Sequence, residues 1–462
     1  MNAALVWIAI PLAVAVLLWF MQQRCIFSLL TAASTSLVLA VLAWLLPIDN
    51  AIRLGPVSLE ITSAFNILGR SFVITSGDSR LLVMIFLLGA VFFSTGLGLR
   101  VNRFFAPLGM AMIALLVAAL AVEPFLFSAL LIEMAVLVSV PILSPPGRPV
   151  GKGVLRYIIF QTLALPFILF AGWVFGGVEI NPSDTRLLVQ SVVLLGFGFA
   201  FWLAVFPLYT WIPLLAEEVS SFVAGFVFSL LPVVILFLAL QFFNGFPWLW
   251  EYPVLHDALR LLGVLMAATG GMWAIFERNL NRLLGYAVII ENGYALLALS
   301  LAEPASLDLF AMMFLPRLVA LWLWSSALAI LADGGSLTFQ ETAGLMRRKP
   351  FAAVALLVAC FSMGGLPLLA GLPPRLSLLE SVSVASFSFV LWAALGSVGL
   401  LFGGGRILSY MVLSEGQWQS QESWIQRGFL SAGALILLLM GVFPGWLLPI
   451  MSSLLAAFER LR

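Results

Sequence analysis

The sequence predicts an all-α polytopic membrane protein with about 14 transmembrane helices. Three observations carry this. Of 462 residues, 63% are hydrophobic and only 9% are charged, against about 45–50% apolar and about 25% charged in soluble domains. So few charges cannot cover a water-soluble fold of this size. That excludes catalysis in an aqueous domain, as well as disorder, coiled coil and a disulfide scaffold. The chain also holds uninterrupted apolar runs such as Ala3 to Phe20 and Phe429 to Ala457, matching the roughly 20 residues that a spanning helix needs. Finally, it lacks the short alternating segments of a transmembrane barrel, which leaves helices as the way to satisfy the backbone in lipid.

The apolar N-terminus has no basic leader and no small-x-small site before Gln22, so it reads as a first span and not as a signal peptide. Candidate helices follow at 3–20, 26–46, 82–99, 105–122, 124–143, 154–176, 187–215, 219–242, 258–276, 280–301, 307–332, 351–382, 384–405 and 428–458. Between the second and third, "RLGPVSLEITSAF" alternates apolar and polar residues, the pattern of a small surface hairpin. "SPPGRPVGKG", 144–153, is a turn-rich loop. Four regions result: 1–104 with three spans and the hairpin, a first repeat at 105–242, a second at 258–405, and a loop and last span at 406–462. Lys and Arg favour the loops after odd-numbered spans by 13 to 7. Because basic loops stay inside, both termini are expected on the outer side, in a bacterial inner membrane.

Two spans are interrupted by proline: the seventh at "FPLYTWIPLL", with Pro207 and Pro213, and the twelfth at "GGLPLLAGLPPR", with Pro367, Pro373 and Pro374. Proline removes a backbone donor and clashes with the preceding turn. At membrane depth the freed carbonyls need protein or water partners. Breaks in corresponding positions of two halves point to an ion path. Here they lie five spans apart, which predicts two inverted five-helix repeats, spans 4–8 and 9–13. Ordinary proline kinks are the plainer alternative.

Charges within spans are costly and usually partnered. Glu133 sits mid-span in "FSALLIEMAVLVS" and Glu291 in "GYAVIIENGYALLAL", beside Asn292 and Tyr294. Arg317 follows Pro316 in the eleventh span, Arg375 stands at the twelfth span's break, and Glu380 follows it by five residues. Glu133, Glu291 and Glu380 are the candidate proton-path groups; a neutral or paired structural carboxyl is the alternative for each. Arginine does not release its proton, so Arg317 and Arg375 can only supply fixed charge, with Arg375 pairing Glu380 or facing water. Cys25 and Cys360 suit neither a metal site nor a disulfide framework. The glycines of "FSTGLGLR" and "FGGGRILS" lack a phosphate-binding context. No metal, nucleotide, flavin or quinone motif is present, so no cofactor and no nucleic-acid partner are expected.

The stretch "FPLYTWIPLLAEEVSSFVAGFVFSLLP" resembles the signature of the antiporter-like membrane subunits of respiratory complex I, roughly Pro-Leu/Phe-His-x-Trp-x-Pro-Asp. "FERNLNRLLGYAVIIENGYALLALSL" is similar to that family's second motif, and "GGLPLLAGLPPRLSLLES" to its third. Glu133 matches the family glutamate of the fifth span. The likeness runs over about residues 80 to 410, nearest in size to NADH-quinone oxidoreductase chain N. Related subunits occur in multisubunit cation/proton antiporters. The resemblance implies a subunit that is non-catalytic alone and sits beside other antiporter-like subunits in the bilayer.

Departures from that family are equally informative. The family lysines of spans 7 and 8 fall at Trp202 and at Pro232 or an apolar neighbour, the motif histidine is Tyr209, a second histidine is Glu291, and the lysine of span 12 is Arg375. A buried lysine can lose its proton because desolvation lowers its pKa; Trp and Pro carry none. With 20 Arg, two Lys (Lys152, Lys349) and one His (His256), all three expected in loops, the usual relay is missing. The reading is a degenerate or structural membrane-arm subunit of a complex I-like ion-translocating redox complex, with at most a carboxylate path. A subunit of a redox-independent antiporter or inorganic-carbon uptake complex, or a stand-alone transporter, are the alternatives.

Overall fold

The structure, a computed structural model, describes the chain apart from residues 1, 50, 51, 55, 56, 60, 68, 148, 181–184, 302, 303, 334–336, 413–417, 419, 459, 460 and 462. Arg148, Arg460 and Arg462, used above for orientation, lie outside the described residues.

Apolar sequence without charge folds here into helices almost throughout. A π-helical turn, Leu5–Ala9, leads into α1 (Ile10–Phe20) and α2 (Cys25–Leu45). Then come α3 (Ser79–Gly96), α4 (Phe105–Ala121), α5 (Ser128–Leu143), α6 (Lys152–Ile180) and α7 (Thr185–Trp202). The short α8 (Trp211–Glu218) precedes α9 (Ser221–Gly245), the single turn α10 (Pro247–Trp250), α11 (Pro253–Phe276), α12 (Leu280–Leu299) and α13 (Pro304–Leu331). The chain closes with α14 (Leu345–Arg348), α15 (Pro350–Gly364), α16 (Leu372–Ala385), α17 (Phe387–Val412), α18 (Trp424–Val442) and α19 (Leu447–Ser452). Among the described residues, ten helices are long and apolar enough to cross a membrane.

The hairpin forms: β1 (Ile52–Leu54) pairs antiparallel with β2 (Val57–Leu59). A second sheet was not anticipated. In it β3 (Ala64–Ile67) pairs with β4 (Arg70–Val73), and β4 with the two-residue β5, Val122–Glu123. The last candidate span is shorter than expected, because α18 ends at Val442 and Pro444 opens a separate turn before α19. His256 lies not in a loop but in the first turn of α11, its Nε2 2.6 Å from the Trp250 carbonyl.

Both proline breaks are present, while Pro141, Pro166, Pro232 and Pro316 sit inside continuous helices. The difference is local backbone. Between α7 and α8, Ala204 has φ 57°; between α15 and α16, Gly365 has φ 77° and Leu368 φ 71°. These left-handed residues turn the chain off the helical path.

Helix α9 is wholly buried, and α12 and α13 nearly so, whereas α2, α6, α17 and α18 turn most of their surface outward. Around the core, α11 packs against α12 and α17 through glycines. A Cβ at Gly263 would press on the Gly293 carbonyl, one at Gly271 on Leu395 and Gly396, and one at Gly399 on Gly271. Small residues let backbones approach in this way where lipid supplies no hydrophobic drive. Gly271→Ala is therefore expected to destabilise the chain by about 1–3 kcal/mol through overpacking. Gly196→Ala, in open space on α7, is expected to cost nothing. Thermal unfolding of the detergent-purified chain should show that order; the reverse order would refute this packing.

Candidate functional site, a buried charge cluster between two broken helices

The first break frees two carbonyls. Gln161 on α6 donates through Nε2 to the Trp202 carbonyl at 3.3 Å. Asn292 on α12 donates through Nδ2 to the Leu203 carbonyl at 3.0 Å. The Asn292 amide oxygen accepts from Arg317 Nη2 at 2.6 Å. An amide side chain both donates and accepts, so Asn292 joins the break to a charge.

At the second break, Arg375 stands in the first turn of α16. Its Nη2 donates to Glu291 Oε1 in a close ion pair, and its Nη1 donates to Ser397 Oγ at 3.0 Å. The guanidinium carbon lies 4.6 Å from the centre of the Tyr294 ring. The Tyr294 hydroxyl donates to the Ala393 carbonyl at 2.8 Å and is bonded to Ser397 at 2.9 Å. Glu291, Arg317 and Arg375 are each 5% exposed or less. Glu291, Arg317, Arg375 and Ser362 line one small cavity. The cluster thus links α12, α13, α16 and α17 and both breaks, Pro367 lying in the second.

The expected pairing at the second break changes. Arg375 pairs with Glu291 and not with Glu380, which is exposed on α16. Glu133 is half-buried on the face of α5 that turns out of the bundle: Thr162 Oγ1 donates to its Oε1 at 2.7 Å, among exposed Leu130, Met134 and Leu137. Glu217 and Glu218, just after the first break, are partnered. Glu217 pairs with Arg282 at 2.6 Å, and Glu218 accepts from the Gly153 amide at 2.6 Å. Trp202 and Pro232, the positions of the family lysines, are buried among apolar side chains. Gln161, Ser362 and Ser397 went unremarked in the sequence; a lone glutamine inside an apolar span was the signal available for the first.

A helical bundle with ten membrane-length apolar helices, two interrupted helices and a buried arginine–carboxylate centre is the architecture of a polytopic membrane subunit. Residues 178–403 match the family described as NADH:quinone oxidoreductase/Mrp antiporter, TM. The chain is 29% identical over 329 residues to "NADH-quinone oxidoreductase subunit N 2" of Acidobacterium capsulatum, covering 65% of this chain and 66% of that one. It is 25% identical to "NADH-quinone oxidoreductase subunit 14" of Thermus thermophilus, over 90% of this chain and 97% of the relative. In fold it is similar to a chain of the Mrp complex from Dietzia sp. DQ12-45-1b, with TM-score 0.82, 18% identity and 99% and 97% coverage. A chain of respiratory complex I from Thermus thermophilus with bound NADH gives 0.73, at 23% identity and 99% coverage of each. Over residues 178–403 the chain is thus similar to the antiporter-like membrane subunits of this family, and its relatives and fold neighbours agree with that likeness.

Removing one partner of a buried ion pair strands the other charge, at a cost of about 3–5 kcal/mol. Arg375→Met is expected to destabilise the chain by that amount, and adding Glu291→Gln should recover most of it. Unfolding temperatures of both single variants and the double variant measure the coupling; purely additive losses would refute a dominant pair.

Proposed function

We propose that this chain is a membrane-arm subunit of a complex I-like, ion-translocating redox complex, in which it serves a structural or altered role and not that of a standard proton pump. The single observation behind this reading is the centre itself. The positions that hold lysines in the resembled family carry Trp202, Pro232 and Arg375, and Arg375 engages Glu291 directly. A relay needs groups that alternate between protonation states, and a guanidinium does not. In the same reading the chain crosses the membrane fourteen times, with both termini outside a bacterial inner membrane and inverted repeats at 105–242 and 258–405. Glu133 then marks the flank that meets a neighbouring subunit, since an intramembrane carboxylate turned outward needs a partner. A redox-independent Mrp-type antiporter complex is the second reading, favoured by the fold similarity to an Mrp chain; co-purifying subunits distinguish the two.

The test is reconstitution of the native complex with Glu133→Gln and with Glu291→Gln. Unchanged ion-to-electron stoichiometry is expected for both. A clear fall in pumping with assembly intact would overturn the structural role.

A further inference from the structure

We propose that the cavity between Arg317, Arg375 and Ser362 binds one small monovalent anion of the halide class. Two arginines and only one acidic residue, Glu291, stand among the described residues that line this space. Glu291 is engaged by Arg375, so the cluster carries one positive charge in excess. Arginine cannot discharge it by losing a proton, and an unbalanced charge inside a membrane protein is expensive.

The donors that remain are directed by the same geometry. Arg317 is 3% exposed and makes one hydrogen bond, to Asn292. Among the described residues its Nε and Nη1 have no partner, and neither does the hydroxyl of Ser362, which is 1% exposed. All three belong to side chains that line the cavity. Leaving such groups buried without partners is costly, and more so for charged ones. The cavity also lies at the N-terminal end of α16, a 14-residue helix whose dipole favours negative charge there.

Size and charge narrow the ligand. The free space is about 10 Å³, near the minimum for one water. Met313 and Met363 form part of the wall, and flexible thioethers can yield to a slightly larger sphere. A tetrahedral oxyanion does not fit. Glu291 opposes a second negative charge. A water would meet the donors but would leave the excess charge uncompensated.

The experiment uses the full chain in nanodiscs, with tryptophan-reported thermal unfolding as chloride replaces gluconate at constant ionic strength. Chloride should raise the unfolding temperature saturably by at least about 2 °C, and sulfate should not. Ser362→Ala should weaken half-saturation by roughly 5-fold, the loss of one hydrogen bond. Glu291→Gln, which removes the opposing charge, should tighten it by a similar factor, and Arg317→Gln should abolish the response. Should Arg317→Gln fail to fold, the opposite shifts of the other two variants decide. No saturable response in the unmodified chain, or equal responses in the chain and in both variants, would overturn the proposal in favour of a water-filled cavity.

Discussion

Inside a bilayer an unpaired backbone carbonyl has nowhere to turn, and that constraint organises the centre of this molecule. Breaking α7 after Trp202 leaves carbonyls that helical geometry no longer serves. Gln161 takes one and Asn292 the other. Asn292 can do so while its own oxygen holds Arg317, because an amide offers both signs of hydrogen bond. Arg317 in turn borders the space where Glu291 meets Arg375, at the start of the helix that follows the second break. A polar chain therefore runs from one interruption to the other. Arg317 and Glu291 meet only across the small cavity they share, and the nearly fully buried α12 carries two of the members, Glu291 and Asn292.

The composition takes on meaning through this chain. A lysine at a helix break would be a compact charge able to shed its proton when dehydrated. Arg375 instead spreads its contacts over Glu291, Ser397 and the face of Tyr294. That geometry uses the planar fork of a guanidinium and would be poorly filled by an ammonium. The excess of arginine over lysine is thus more than a loop preference. At the one interrupted site where a cation survives, it is the cation that anchors and does not titrate.

The breaks were legible because proline together with glycine or a short apolar turn is rare inside a span. The charged residues were legible because the apolar background isolates them. Their pairing was not. Arg375 and Glu380 are close in sequence, yet at about 100° per residue five positions put them some 140° apart around a helix, on different faces. The true partner, Glu291, is 84 residues away, and only packing brings the two together. Nor could the sequence sort core from periphery: α2 and α9 are both apolar all round, because lipid accepts the same side chains as a protein interior. The second sheet hides for a similar reason, since β5 is two residues long and fifty residues distant from β4.

The two kinds of intramembrane charge in this chain answer to different surroundings. Glu291 and Arg375 find each other within the bundle and Arg317 finds Asn292, so their removal reads out first as stability. Glu133 is otherwise placed. One threonine hydroxyl serves it, and its neighbours on α5 point outward. A carboxylate on an apolar outward flank calls for a partner beyond the chain. The residues of the buried centre are therefore set in place by contacts within this polypeptide. The flank around Glu133 takes its properties from whatever lies against it, and the chain by itself leaves that half of its electrostatics to its neighbour.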